Sequence, residues 1–141
     1  MKANLKQILK NLVQIPTENP PGKTDEIINY LITDIFKESD GFNNEVINYR
    51  KKGIELKNLM TRIGTGKEKI MLSGHLDVVP VGEDSQWKYP PFSAKVIDGK
   101  LYGRGACDMK GGLTMLIGTI MNLKEYPELL ENYTIFFLAS A

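Results

Sequence analysis

Three side chains stand out in the sequence as candidates for a metal site of the kind found in hydrolases. His75 is the one histidine of the chain, Asp77 follows it two positions later, and Asp108 lies in a glycine-rich stretch further on. Catalytic zinc takes imidazole and carboxylate ligands and keeps an open position for water. His75 and Asp108 are the predicted metal ligands. Asp77 is too close to His75 to serve easily as an independent ligand, so we assign it an indirect catalytic role, holding the ring nitrogen and raising its basicity.

Each of these residues also has a plain structural interpretation. A lone histidine at the end of a strand is more often a satisfied buried or surface residue than a ligand. Asp108 could cap the helix predicted from Leu113 onward. Cys107 is interpreted as a small packed residue, because one thiol among hard ligands is a weak signal. The aromatic residues Trp87, Tyr89 and Phe92 are interpreted as a packed loop.

The glycine-rich stretch does not match either of two common phosphate-binding motifs. Gly103-Arg104-Gly105 begins like a dinucleotide fingerprint, but Asp108 occupies the third glycine position and would repel a pyrophosphate. Lys110 is followed by two glycines rather than by the Ser or Thr of a P-loop. Neither nucleotide motif is therefore predicted.

A predicted strand places the first two candidate residues. Ile70 to Ser73 are strand-type residues that run into Gly74, so His75 and Asp77 are expected where a buried strand opens into a loop at the edge of a sheet. Alternation along an extended segment points both side chains to the same side.

Periodicity and turn signals predict the remaining elements. A surface helix runs from Leu5 to Val13 and ends before Pro16, and a second helix begins near Thr24, whose hydroxyl is expected to cap it. The turn pair Asp98-Gly99 predicts a hairpin. Further strands are predicted over 45–50, 58–63 and 133–138, and a helix over 113–123, which is expected to end near Pro127. The alternation of helices and strands predicts an α/β fold, a mixed sheet flanked by helices on both faces.

The length of the chain fits one domain, and its balance of charges shows no bias toward polyanionic partners. The chain has 141 residues, with 18 Lys and Arg against 17 Asp and Glu, which argues against nucleic acid and anionic membranes as partners. One cysteine excludes an internal disulfide and suits a reducing compartment, so we expect a cytoplasmic location. No stretch approaches the ~20 apolar residues of a membrane span. The segment 1–6 opens an amphipathic pattern and lacks the apolar core of a signal peptide.

Two long motifs in this order resemble one enzyme family. They are Ser73-Gly74-His75-Leu76-Asp77-Val78-Val79-Pro80 and, after Trp87 and Pro91-Phe92, the stretch Asp98-Gly99-Lys100-Leu101-Tyr102-Gly103-Arg104-Gly105-Ala106-Cys107-Asp108-Met109-Lys110-Gly111-Gly112. Motifs and spacing together are similar to the zinc-dependent acetylornithine deacetylase, succinyl-diaminopimelate desuccinylase, aminoacylase and carboxypeptidase family. The helix, Ile15-Pro16-Thr17 loop and second helix also resemble the family's opening.

The resemblance implies roles for the matched positions. His75 corresponds to a histidine ligand of one zinc, Asp77 to the aspartate that orients that histidine, and Asp108 to the carboxylate that bridges two zincs. The peptide bond between Asp108 and Met109 is implied to be cis. The implied cofactor is zinc, two ions per site in the full-length family, with cobalt as a possible substitute. The implied substrate is an N-acyl amino acid or a dipeptide, and a homodimer is implied for a full-length parent.

The end of the sequence departs from the family pattern. In the family, the strand matching 133–138 is followed by two glutamates, one a general base and one a zinc ligand, whereas here the chain reads Ala139-Ser140-Ala141. We therefore expect 1–141 to be the N-terminal portion of a catalytic metallohydrolase domain, truncated before its last strands and its lid and dimerisation domain. With this incomplete ligand set, weak zinc binding and no hydrolysis by the chain alone are expected.

Two alternatives remain at the level of the sequence. The chain is expected to come from an amidohydrolase, with deacetylase, desuccinylase and peptidase all open and the GRGACDMKGG form of the second motif favouring the biosynthetic deacylases. Alternatively, it is a non-catalytic truncated paralogue or relic that acts as a binding or structural module.

Overall fold

The computed structural model describes residues 4–141, in which a mixed sheet packs against helices. The strands are β1 (Asn43–Lys51), β2 (Ile54–Ile63), β3 (Glu68–His75), β4 (Lys95–Ile97), β5 (Lys100–Tyr102) and β6 (Tyr133–Ser140). The α-helices are α1 (Leu5–Gln14), α2 (Asp25–Tyr30), α3 (Gly111–Leu123) and α4 (Pro127–Asn132). Met1 to Ala3, the first residues of the predicted amphipathic N-terminal pattern, lie outside the described residues.

The large sheet has the strand order β1-β2-β6-β3. β1 and β2 form an antiparallel hairpin, β6 is antiparallel to β2, and β3 is parallel to β6. The strand predicted over residues 133–138 is therefore confirmed as β6, and it lies in the interior of the sheet. The prediction that the strand before His75 is buried is wrong, because β3 lies at the edge with β6 on one side, and Ile70 and Met71 are 43% and 56% exposed.

Helix packing is seen on one face of this sheet in the described residues. The core joins alternate residues of the central strands to the apolar stripes of α1, α2 and α3; its members include Leu59, Ile63, Ile135, Phe137, Ala139, Leu12, Ile27, Leu113 and Ile117. Side chains of the opposite parity, Met60, Phe136 and Leu138, are half-buried. The mixed α/β class is confirmed. Helices were predicted on both faces of the sheet, and in residues 4–141 they pack on the face that carries Phe137.

The first two helices differ in whether a side chain caps the N-terminus. The side-chain oxygen of Asn4 accepts from the backbone N–H of Gln7 at 3.1 Å and caps α1. The predicted capping of α2 by Thr24 is wrong. Its buried hydroxyl donates instead to the carbonyl oxygen of Lys57 in β2, at 2.7 Å, because a buried strand carbonyl competes for the same donor. After Tyr30 the helix continues as a wider π turn from Leu31 to Ile35.

The hairpin and the helix on either side of the second motif form where the sequence predicts them. β4 and β5 pair across Asp98 and Gly99, both with positive φ, as the hairpin signal requires. The predicted helix at 113–123 is confirmed as α3. This helix ends at Leu123, near Pro127 as predicted, and Pro127 itself begins α4, at a first-turn position that needs no backbone N–H. None of the helices in residues 4–141 has both the length and the apolarity that crossing a membrane requires.

Candidate metal centre

The three predicted site residues come together beyond the carboxyl end of β3. His75 is the last residue of that strand, and Asp108 lies in the wide turn Ala106–Lys110 that leads into α3. The Nε2 atom of His75 lies 3.1 Å from Oδ1 of Asp108. Two ligands of a tetrahedral zinc ion, each about 2.0 Å from the metal, are about 3.3 Å apart, so the pair fits two positions of such a site.

Asp108 is free to serve as a ligand. Its side chain is 87% exposed, and Lys110, not Asp108, occupies the N-cap position of α3. The alternative that Asp108 caps this helix is therefore wrong. Asp108 itself has an extended backbone within the turn, and the peptide bond to Met109 is cis, as the family resemblance implies.

Asp77 holds the other nitrogen of the His75 ring. Nδ1 of His75 lies 2.9 Å from the backbone oxygen of Asp77 and 3.1 Å from its Oδ1. Because oxygens of both kinds accept hydrogen bonds, this arrangement keeps a proton on Nδ1. When the ring is neutral, the lone pair is therefore on Nε2, on the side of Asp108, which is the state in which imidazole binds a metal.

The surroundings of His75 have opposing effects on its charge. Partial burial is the largest single influence and lowers its pKa. The hydrogen bonds that the ring donates to the backbone oxygen of Asp77 and to the carboxylate of Asp108, together with the negative charges of both residues, outweigh burial and leave the pKa of His75 raised above its ordinary value. A positive charge is thus favoured between these carboxylates.

The loop at 15–22, which the sequence did not connect to the site, runs along the residues after β3. The hydroxyl of Thr17 donates to the carbonyl oxygen of Leu76 at 2.7 Å, and Val78 donates its N–H to the carbonyl oxygen of Thr17 at 2.9 Å. Nδ2 of Asn19 donates to Oδ2 of Asp77 at 2.8 Å. Pro16, Pro20 and Pro21 are typical of a loop, but local spacing gives no signal for the segment that this loop contacts.

A second connection missed from the sequence joins the same loop to the second motif. Lys110 is fully buried and donates through Nζ to the carbonyl oxygen of Ile15 at 2.7 Å. Burial lowers the pKa of Lys110 to about 8. The Asp108 segment and the loop at 15–22 are therefore joined through a buried amine.

A cleft of about 230 Å³ opens beside His75 and Asp108. Its wall includes Arg104, which stacks over the ring of Trp87 at 4.9 Å and donates to the carbonyl oxygen of Pro80 at 3.2 Å. Cys107 also lines the cleft and is exposed, so its interpretation as a packed residue is wrong. Its position on a turn at the surface, rather than within α3, is the reason.

The residues present fit part of a zinc site. Within residues 4–141, no group of three or more His, Cys, Asp and Glu side chains is arranged to hold a metal ion. One imidazole and one carboxylate, with the imidazole oriented by Asp77, are the donor types that zinc takes. They supply two of the three protein ligands usual for a catalytic zinc.

Comparison with known proteins places this geometry in a family. The sequence model described as "Peptidase family M20/M25/M40" matches residues 71–141. A Staphylococcus aureus protein named probable succinyl-diaminopimelate desuccinylase is 41% identical over 135 residues, which are 96% of this chain and 32% of that protein. The chain thus spans about a third of the length of this curated relative.

Solved structures agree on the fold. The M20 family metallo-carboxypeptidase Sso-CP2 from Sulfolobus solfataricus superposes with a TM-score of 0.77 at 28% identity, over 98% of this chain and 30% of that one. Human carnosine dipeptidase 1 superposes with a TM-score of 0.74 at 23% identity, over 96% of this chain and 31% of that one. This similarity supports the fold alone. Because the family match covers 71 of 141 residues (71–141), just over half, and contains His75, Asp77 and Asp108, the chain belongs to peptidase family M20/M25/M40.

Proposed function

We propose that this chain is the N-terminal portion of the catalytic domain of a two-zinc amidohydrolase that cleaves N-acyl amino acids or small peptides. The observation that carries the proposal is the pair formed by Nε2 of His75 and Oδ1 of Asp108, 3.1 Å apart, with Asp77 on the other ring nitrogen. The names of the Staphylococcus aureus relative and of the Sulfolobus carboxypeptidase support a hydrolase of this kind.

His75 and Asp108 would hold zinc, with Asp108 reaching both ions of a pair, and cobalt is a possible substitute. Bound zinc would polarise the amide carbonyl and activate water for its hydrolysis. The chain's own contribution is orientation. Asp77 accepts a hydrogen bond from the N–H at Nδ1 of His75 and so keeps the lone pair of Nε2 available, while the end of β3 fixes where the ring stands.

The proposed substrate is small and amide-linked. The cleft beside the pair has about 230 Å³, enough for the reacting amide rather than for a folded protein. The Staphylococcus aureus relative is named a desuccinylase, whereas the Sulfolobus protein is named a carboxypeptidase. We favour the deacylase type, an N-acetyl or N-succinyl amino acid, because the relative named a desuccinylase is 41% identical, against 28% for the carboxypeptidase. A homodimer is proposed for a longer parent protein.

A second candidate function is a non-catalytic module. The absence of a three-ligand group within residues 4–141 favours it, because a two-ligand site holds zinc weakly. On this alternative, the chain keeps the fold and the His75 pair but performs no hydrolysis.

The coding sequence beyond the Ala141 codon separates the two candidates. The amidohydrolase proposal expects an acidic pair directly after β6, and it expects the longer protein to release the acyl group from N-acetyl or N-succinyl amino acids in a zinc-dependent manner. His75→Ala in the longer protein is the matched inactive variant, and dipeptides are the competing substrates. A continuation without an acidic pair, or a longer protein without zinc-dependent amide hydrolysis, contradicts the proposal and leaves the non-catalytic module.

A further inference from the structure

We infer that Asn19 is a positioning residue of the metal centre, acting through Asp77 on His75. The inference rests on the proposed function for its metal and goes beyond it in assigning a role to the loop at 15–22. Nδ2 of Asn19 lies 2.8 Å from Oδ2 of Asp77, and Oδ1 of the same carboxylate lies 3.1 Å from Nδ1 of His75. One carboxylate therefore joins an amide donor on one side to the imidazole on the other.

The chemistry of the groups fixes the direction of these bonds. A carboxylate offers acceptors alone, so the amide nitrogen of Asn19, not its oxygen, must face Asp77. A carboxylate with one oxygen free can rotate about its terminal torsion, which is broad and roughly two-fold. With Oδ2 held by Asn19, Oδ1 stays directed at the ring nitrogen, so the ring is held before any metal arrives.

The backbone of Asn19 is itself fixed. Its N–H donates to the carbonyl oxygen of Val78 at 2.8 Å, in a parallel bridge between Glu18 and Val78. The side chain of Glu18 accepts from the N–H of Val81 at 3.0 Å. The loop and the segment after β3 are thus joined at Glu18 and at Asn19 itself, so the amide of Asn19 reaches Asp77 from an ordered backbone, without the entropy loss of ordering a free loop.

Gly22 completes the support from the other side of the amide. A Cβ atom at Gly22 would lie 3.2 Å from Cγ and 3.4 Å from Nδ2 of Asn19. The N–H of Gly22 donates to the carbonyl oxygen of Glu18 at 2.8 Å, which closes the turn around Asn19. Glycine at this position therefore leaves the space that the amide of Asn19 occupies when it contacts Asp77.

The test compares Asn19→Leu with Asn29→Leu. Leucine has nearly the shape of asparagine and no charge but cannot donate, while Asn29 is an exposed residue of α2 and serves as the matched control. His75 is the one histidine of the chain, so long-range ¹H–¹⁵N spectra of its ring are unambiguous. In the metal-free chain at one fixed pH, Asn19→Leu is expected to change the Nδ1 signal and Asn29→Leu to leave it unchanged.

Zinc affinity by calorimetry is the second measurement. Partners that contact a ligand directly contribute about 10- to 100-fold, so a residue one contact further out is expected to weaken zinc binding about 3- to 10-fold. An Nδ1 signal in Asn19→Leu identical to that of the unmodified chain overturns the inference. If the leucine variant does not fold, as judged by circular dichroism, the same spectra on Asn19→Ala decide it.

Failure of the inference and failure of the proposed function are distinguishable. Zinc binding that survives His75→Ala unchanged contradicts the proposed function, whereas the ring spectra are recorded without metal and still test Asn19. Conversely, zinc binding that requires His75 but does not respond to Asn19→Leu, with unchanged ring spectra, rejects the positioning role and leaves the metal site standing.

Discussion

Gly74 lies directly against Met109, across the interface between β3 and the turn that carries Asp108. A Cβ atom at Gly74 would come within 2.8 Å of Cε of Met109 and 2.9 Å of Cδ2 of Leu113. The N–H of His75 donates to Sδ of Met109 at 3.3 Å. The absent side chain at Gly74 thus allows the residue after Asp108 to pack beside the strand that ends in His75.

Gly74→Ala is expected to push Met109 away from β3 and destabilise the fold by about 1–2 kcal/mol through overpacking. Urea unfolding measures the change. Ser73→Ala, at the exposed neighbouring position of β3, is the control and is expected to alter the free energy of unfolding by less than about 0.5 kcal/mol. Equal stability of Gly74→Ala and the unmodified chain would contradict this close packing.

The buried amine of Lys110 predicts a stability that rises in alkaline solution. In the folded chain its pKa is about 8, against 10.5 for an unburied lysine, so between these values the unfolded state binds more protons. The free energy of unfolding therefore increases with pH across this window, by about 3 kcal/mol in total, and the cost of the buried charge is fully present below pH 8.

Lys110→Met removes the titrating group and should remove this rise, as measured by urea unfolding at a series of pH values. Lys95→Met, at an exposed position of β4, should keep it. The difference between the two variants isolates Lys110 from other groups that titrate in the same range. Parallel pH profiles for the Lys110 variant and the unmodified chain would show that the amine is not desolvated.

Thr17→Val tests the attachment of the loop at 15–22. The Thr17 hydroxyl is buried and donates to the carbonyl oxygen of Leu76 at 2.7 Å, so its loss is expected to destabilise the chain by about 1–2 kcal/mol. Thr119→Val removes a hydroxyl on the exposed side of α3, where the expected loss is below about 0.5 kcal/mol. Similar thermal denaturation midpoints for the two variants would reject the attachment.

Local patterns were sufficient for the parts of the site that are close in sequence. The spacing of His75 and Asp77 on an extended segment predicted their contact, and the Asp98-Gly99 turn predicted the hairpin before Asp108. The contact of Asn19 with Asp77 spans 58 residues and that of Lys110 with Ile15 spans 95. Such pairs depend on how strands and loops are arranged in space, which local periodicity does not contain.

Contacts between distant parts of the chain also explain the errors in the fold. Thr24 has the side chain of a helix cap, but the carbonyl oxygen of Lys57 lies within its reach and takes the hydroxyl. An apolar run such as Ile70 to Ser73 looks buried by composition, yet the order of strands places it at the edge. Pairing order is a property of the whole sheet and is set by contacts far along the chain.

The most direct test of the metal centre is a zinc titration followed in the ring spectrum of His75. We expect zinc to shift the Nε2 signal, with a dissociation constant no tighter than about 10 μM because the chain supplies two ligands. Asp108→Ala is expected to weaken this binding at least about tenfold, by removing one of two ligands. Zinc that leaves the Nε2 signal unchanged, or binds equally well to Asp108→Ala, would contradict the assignment of His75 and Asp108 as metal ligands.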